Sequence, residues 1–185
     1  QTLIVAFGML QGTRNEKRIR FCKNDKDIPF ILFARATFYV LLYLLYGAFI
    51  FLICPALCRY PMSYNVLPLF VLYTLMLYCA VFFAQVLSYC FRTRESSLMI
   101  LVVTSLVFIF LPGLIWPKES IPQLVNLGAM FVPATSAIEG ITKVNVQGAT
   151  FSQITGNALW LLFLTAFYFV SATFVTKKLN KEFEN

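Results

Sequence analysis

The chain has 185 residues, of which 59% are hydrophobic, 17% aromatic and 12% charged. A water-soluble domain carries about 25% charged side chains, so this chain lacks the polar surface to cover a globule of its size. Its mean hydropathy of +0.77 agrees. The composition excludes a soluble domain and points to a membrane protein.

Residues 2–10 form a short apolar run, too short to cross a bilayer and without the basic flank of a signal peptide. It reads as the inner end of a helix, residues 1–11, whose beginning lies outside the sequence. Residues 12–28 are the most polar stretch, with sparse apolar positions at Ile19, Phe21, Cys22 and Ile28. They suggest a surface loop or a short amphipathic helix. Asp27 before Pro29 is a start signal for a helix, a cap residue followed by proline in the first turn.

Beyond it lie four charge-free apolar intervals: residues 36–58, 60–91, 96–117 and 144–176. A spanning helix needs roughly 20 apolar residues, so these predict spans at 30–56, 65–91, 97–115 and 157–176. The expected fold is an all-α polytopic membrane bundle, four full spans plus the end of an earlier helix, in a single transmembrane domain. Tyr39, Tyr43 and Tyr46 share one face of the first span, and Thr74, Tyr78, Gln85 and Tyr89 one face of the second. Polar groups at membrane depth turn toward protein or a wet cavity. Either interhelical packing or a lined substrate path accounts for them.

Four prolines, at 112, 117, 122 and 133, divide the stretch before the last span into pieces of about ten residues. Such pieces are too short to cross and too apolar to float. Residues 116–143 are therefore expected to form two re-entrant or interfacial helices at the outer face. Trp116 suits the aromatic belt, and Glu119 and Glu139 lie beside backbone breaks, where they would serve as polar anchors.

With these spans, Arg14, Lys17, Arg18, Arg20, Lys23, Lys26, Arg92, Arg94, Lys177, Lys178 and Lys181 fall on one side, and only Arg59, Lys118 and Lys143 on the other. Arg35 lies one turn inside a span and can snorkel to the first side. The positive-inside rule makes that side cytoplasmic, with residues 177–185 as a cytoplasmic tail. The net charge of +7 then reflects topology and contact with anionic lipid, not nucleic-acid binding. Five cysteines with no framework spacing read as packing residues, although Cys54 and Cys58 could pair.

The chain has no His, no phosphate-binding Gly-Lys-Ser/Thr loop and no nucleophile elbow, so it offers no catalytic motif of its own. An intramembrane enzyme using Glu119 or Glu139 would lack a charged group at depth. A non-transporting membrane scaffold is the other alternative.

Certain segments point further. They are Gly12-Thr13-Arg14-Asn15-Glu16 after a helix and the turn Arg92-x-Arg94-Glu95. The stretch from Leu111-Pro112-Gly113 through Trp116-Pro117 to Pro122 follows, and then Pro133-Ala134-Thr135 through Glu139-Gly140 and Val144-x-Val146-x-Gly148. In this order before a last helix, the chain resembles the C-terminal part of an ABC type-2 transporter permease, the membrane subunit of a bacterial ATP-driven exporter. The resemblance implies a coupling loop at 12–28, with Arg14, Glu16, Lys17, Arg18 and Arg20 meeting a separate ATP-binding subunit. It implies an outer gate containing Trp116, Pro117, Glu119, Pro122, Pro133, Glu139 and Gly140, and makes Tyr39, Tyr43, Tyr46, Tyr78 and Gln85 candidates for path lining. This chain would hold no cofactor or metal; ATP and Mg would bind the partner. A second permease, homo- or heterodimeric, and a periplasmic membrane-fusion adaptor are further implied partners. The implied location is the bacterial inner membrane. Export of a polysaccharide or lipid-linked glycan is an alternative within the same resemblance.

Overall fold

A computed structural model describes residues 2–17, 26–53, 57, 66–90 and 123–182. Among these the chain is all-helical, without strands. The elements are α1 (Thr2–Lys17), α2 (Ile28–Ala48, continued by a π-helical turn at Phe49–Ile53), α3 (Val66–Ser88), α4 (Gln123–Met130), α5 (Pro133–Gln147) and α6 (Phe151–Glu182). Three helices are long and apolar enough to cross a membrane: Ile28–Phe51, Val66–Ser88 and Phe151–Lys181. The expected span at 97–115 lies outside the described residues.

Helix α3 is the hub, packing on α1, α2, α5 and α6. Its buried positions include Leu72, Leu77, Cys79, Val81, Phe82 and Ala84. One core cluster joins Leu3, Ile4 and Phe7 of α1 to Ala36 and Val40 of α2, the middle of α3, and Leu164 and Tyr168 of α6. A second, at the other end, joins Leu69 and Leu72 to Ala137 and Val144 of α5 and to Ile154 and Leu161 of α6. Many large apolar side chains on α2 and α6 remain exposed, among them Phe38, Leu45, Leu159 and Phe174. Hydrocarbon is the natural solvent for such faces.

Several boundaries differ from the sequence expectation. Helix α1 runs through Gly12 to Lys17, into the stretch read as a surface loop or a short amphipathic helix, and local side-chain bonds lie along it. Thr13 Oγ1 donates to the Met9 carbonyl at 2.8 Å, and Gln11 Nε2 donates to Asn15 Oδ1 at 3.2 Å, an i,i+4 pair. Helix α2 starts at Ile28 with Pro29 in its first turn, as expected, but the Asp27 side chain makes no capping bond.

Near its far end α2 touches α3 closely. A Cβ added at Gly47 would lie 2.2 Å from the Tyr73 ring, so only glycine permits the approach. Tyr73 also donates to the Tyr43 carbonyl at 3.1 Å.

Helix α6 begins at Phe151 rather than 157. The Gln153 side chain accepts from the Thr150 backbone N–H at 3.0 Å, one of the two bonds of a capping box. At 1.5 Å per residue its 32 residues extend about 48 Å, beyond a hydrocarbon core of roughly 30 Å. The prolonged end carries Lys177, Lys178 and Lys181.

Candidate functional site

The polar side chains gather at the two ends of the bundle. At the end where α1 finishes and α2 begins, Gln11, Arg14, Arg35, Gln85 and Tyr89 surround a cavity of about 10 Å³, the size of one water molecule. The Arg35 guanidinium lies 4.6 Å from the centre of the Phe7 ring, a cation–π contact. Arg14 is held down to about 10, first by burial and then by the positive charge of Arg35, with Tyr89 acting in the opposite sense. Tyr89 meets Thr176 of α6 hydroxyl to hydroxyl. Gln85 is 2% exposed, and neither its amide nitrogen nor its oxygen has a hydrogen-bond partner among the described residues.

The residues assigned to coupling divide accordingly. Arg14 belongs to this cluster; Glu16 and Lys17 close α1. Arg18 and Arg20 lie outside the described residues.

The tyrosines named as path candidates take separate partners. Tyr39 packs its ring edge on Phe7 at 5.0 Å. Tyr43 meets the Thr2 hydroxyl and gives its carbonyl to Tyr73. Tyr78 stacks on Phe33 at 5.9 Å, its hydroxyl 3.4 Å from Thr37 Oγ1. Tyr46 stands apart, exposed on the outside of α2.

At the opposite end α4 and α5 are two short helices, separated by a turn at Phe131–Val132. Pro133 opens α5 in its first turn, where its missing N–H costs no ladder bond. Gly148 closes it in the left-handed region with φ of 65°. The Gly148 and Ala149 N–H groups both return to the Lys143 carbonyl, that of Ala149 at 3.1 Å, which satisfies an acceptor of the last turn.

Helix α5 is fastened to α6 by polar bonds. Lys143 Nζ donates to Glu139 Oε1 at 3.0 Å and to Asn157 Oδ1 at 3.2 Å. Asn157 Nδ2 donates to the Ser136 carbonyl at 3.3 Å, and Ser136 Oγ returns a bond to the Asn157 carbonyl at 3.4 Å. The preceding turn is held as well: Trp160 Nε1 donates to the Met130 carbonyl at 3.0 Å and the Tyr168 hydroxyl to that of Phe131 at 2.7 Å. Gly140 is buried where a Cβ would meet Leu72 at 3.0 Å, so glycine favours the close approach of α5 to α3.

Between α5 and α6 lies a cleft of about 560 Å³, within the range of small-molecule sites. Thr135, Ser136, Glu139, Lys143, Gln153 and Asn157 supply its polar wall, and Met130 and Trp160 its apolar one. Of the residues assigned to an outer gate, Pro133, Glu139 and Gly140 are placed in this region. Trp116, Pro117, Glu119 and Pro122 lie outside the described residues. Glu139 takes Lys143 as a partner. Lys143, Asn157 and Trp160 were not singled out from the sequence. The i,i+4 pair Glu139–Lys143 was readable on a helix, whereas the bond across to Asn157 exists only in the folded bundle.

Among the described residues, no group of three or more His, Cys, Asp or Glu could hold a metal. Cys79 is buried and free, as a packing residue should be; Cys54 and Cys58 lie outside the described residues. A family model described as ABC-2 family transporter protein matches residues 27–174. No curated protein matches, and no solved structure does.

Proposed function

The chain belongs to the ABC-2 transporter family, and from that premise we propose that it is the permease subunit of an ATP-driven exporter in a bacterial inner membrane. Membership makes it a multi-pass membrane component of a transporter that works with an ATP-binding subunit. The family match across four-fifths of the chain is the observation that carries this reading.

The physical logic is that of a bundle switched between two packings. Two permease chains form one path, and a membrane-fusion adaptor extends it through the periplasm. ATP and Mg bound by the partner subunits draw the halves together. The difference in ATP affinity between the two arrangements supplies the driving free energy. Arg14, Glu16, Lys17, Arg18 and Arg20 receive the motion at the cytoplasmic side. The polar cluster of Arg14, Arg35 and Tyr89 joins the end of α1 to α2, α3 and α6, which supports transmission into the bundle. At the outer side α4 and α5 form a re-entrant lid, and their bonds to α6 through Asn157, Trp160 and Tyr168 tie that lid to a spanning helix. Glu139 is a structural anchor there and performs no acid–base chemistry. Tyr39, Tyr43, Tyr46, Tyr78 and Gln85 are the path-lining candidates.

Charge reversal tests the reading. An Arg18→Glu/Arg20→Glu double variant, co-expressed with the cognate ATP-binding subunit, should insert and fold normally. It should lose recruitment of that subunit or uncouple hydrolysis from transport. Wild-type assembly and substrate-stimulated hydrolysis in this variant would reduce the loop to a topology signal.

A further inference from the structure

We infer that Arg14 and Arg35 together hold the phosphate of an anionic phospholipid, at the end of the bundle where α1 finishes and α2 begins. The site needs only the membrane placement of these helices and stands apart from the exporter reading. About 10 Å of helix separates Arg35 from Ile28, the first residue of α2. A guanidinium at such depth needs a counter-charge or a route to the interface. Its partners among the described residues are neutral. The Phe7 ring covers one face at 4.6 Å, and the Tyr39 hydroxyl shares a hydrogen bond with it. A cation–π contact occupies the face and leaves the N–H edge for hydrogen bonds. Helical side chains tilt toward the helix N-terminus, so Arg35 reaches back toward the headgroup layer at the start of α2.

Arg14 of α1 lines the same cavity, and its charge and that of Arg35 oppose each other. No described residue lining that cavity is a carboxylate. Two like charges, each partly withdrawn from water, gain from an anion placed between them, and guanidinium groups take phosphate oxygens in bidentate fashion. The cavity itself, at about 10 Å³, holds a single water. The phosphate therefore sits outside it, on the edges of the two arginines, both of which are partly exposed.

The surface beside these cations selects a lipid over a soluble anion. Leu10, one turn back from Arg14, lines the same cavity and is 47% exposed. Phe38 and Leu42 follow Arg35 at i+3 and i+7, on its own face of α2, and are 64% and 52% exposed. The two arginines thus stand at the edge of a lipid-facing surface, where an acyl chain lies beneath its own phosphate. Basic pockets between helices at a membrane interface hold anionic head groups in this way.

Native mass spectrometry of the full chain, released from detergent, counts the first bound lipid directly. Dioleoyl phosphatidylglycerol is titrated against dioleoyl phosphatidylcholine, which shares its tails and phosphate but carries no net charge. The first phosphatidylglycerol should bind at a concentration at least about tenfold below phosphatidylcholine. Arg35→Met should lose at least about tenfold of that affinity, the scale of a hydrogen bond to a charged group. Arg35→Lys should recover only part of it, because an ammonium is a point charge. Arg14→Met should lose a similar amount, and it keeps the test decisive should Arg35→Met fail to insert. Lys178→Met, which removes an equal charge from the end of α6, should stay within about twofold. No preference for phosphatidylglycerol, or an equal loss with Lys178→Met, would leave only diffuse charge and overturn the inference. Displacement of the lipid by millimolar inorganic phosphate would overturn it as well, in favour of a soluble-anion site.

Discussion

Replacing Asn157 with Ala removes the central bond of the outer lid. The side chain gives up its donation to the Ser136 carbonyl at 3.3 Å and its acceptance from Lys143 at 3.2 Å. The return bond from Ser136 survives because it ends on backbone. A net hydrogen bond is worth about 0.5–1.5 kcal/mol. The Lys143 contact belongs to the lower part of that range, because the Lys143 and Glu139 side chains are 34% and 39% exposed and solvent screens them. Together the losses come to about 2 kcal/mol, or about thirtyfold in the local opening equilibrium of α5. Hydrogen exchange of the complete chain in nanodiscs reads this directly. Amides of residues 138–147 should exchange about thirtyfold faster, while those in the centre of α3 keep their rates. Lys143→Met, which removes one contact to α6 along with the exposed pair to Glu139, should accelerate the same amides by about fivefold. Unchanged exchange in α5, or equal acceleration in α3, would refute the idea that Asn157 fastens the lid locally.

Gly47→Ala should destabilise the bundle by about 1–3 kcal/mol in thermal unfolding, since its Cβ would lie 2.2 Å from the Tyr73 ring; Tyr73→Leu in the same chain should recover most of the loss, and no recovery would disprove the clash. Glu139→Gln retains an acceptor for Lys143 and should keep most transport in reconstituted vesicles, with Glu139→Ala impaired; complete loss with Gln would point to proton coupling. In a cysteine-free background, Lys143→Cys should react with an impermeant thiol reagent in intact cells and Lys23→Cys should not; the reverse pattern would invert the topology.

The spanning helices were legible because lipid leaves a coarse imprint, long charge-free runs that α2, α3 and α6 reproduce. Their ends were less legible. The start of α6 is marked by the Gln153 side chain reaching back to the Thr150 N–H, a short signal within a polar-looking stretch. The continuation of α1 depends on i,i+4 contacts among residues that resemble a loop in composition.

For the sites, periodicity placed Tyr39, Tyr43 and Tyr46 on one face, but the buried stripe of α2 runs through Ala36, Val40 and Gly47. At 100° per residue Tyr43 lies nearest that stripe and Tyr46 farthest from it, which is why Tyr46 is exposed. Among the described residues two short helices, Gln123–Met130 and Pro133–Gln147, precede the last span, and the part of the expected re-entrant segment before Gln123 lies outside them. The cleft beside them was hidden, because its walls come from two different helices, with bonded residues such as Ser136 and Asn157 lying 21 positions apart.

The central claim, that one end of this bundle receives an ATP-binding subunit, is tested most directly by site-specific photocrosslinking in cells that also express that subunit. A crosslinking amino acid at position 18 should give an adduct with the ATP-binding subunit, and one at position 143 should give none. An adduct from position 143, or none from position 18 in a complex that still co-purifies, would contradict the account.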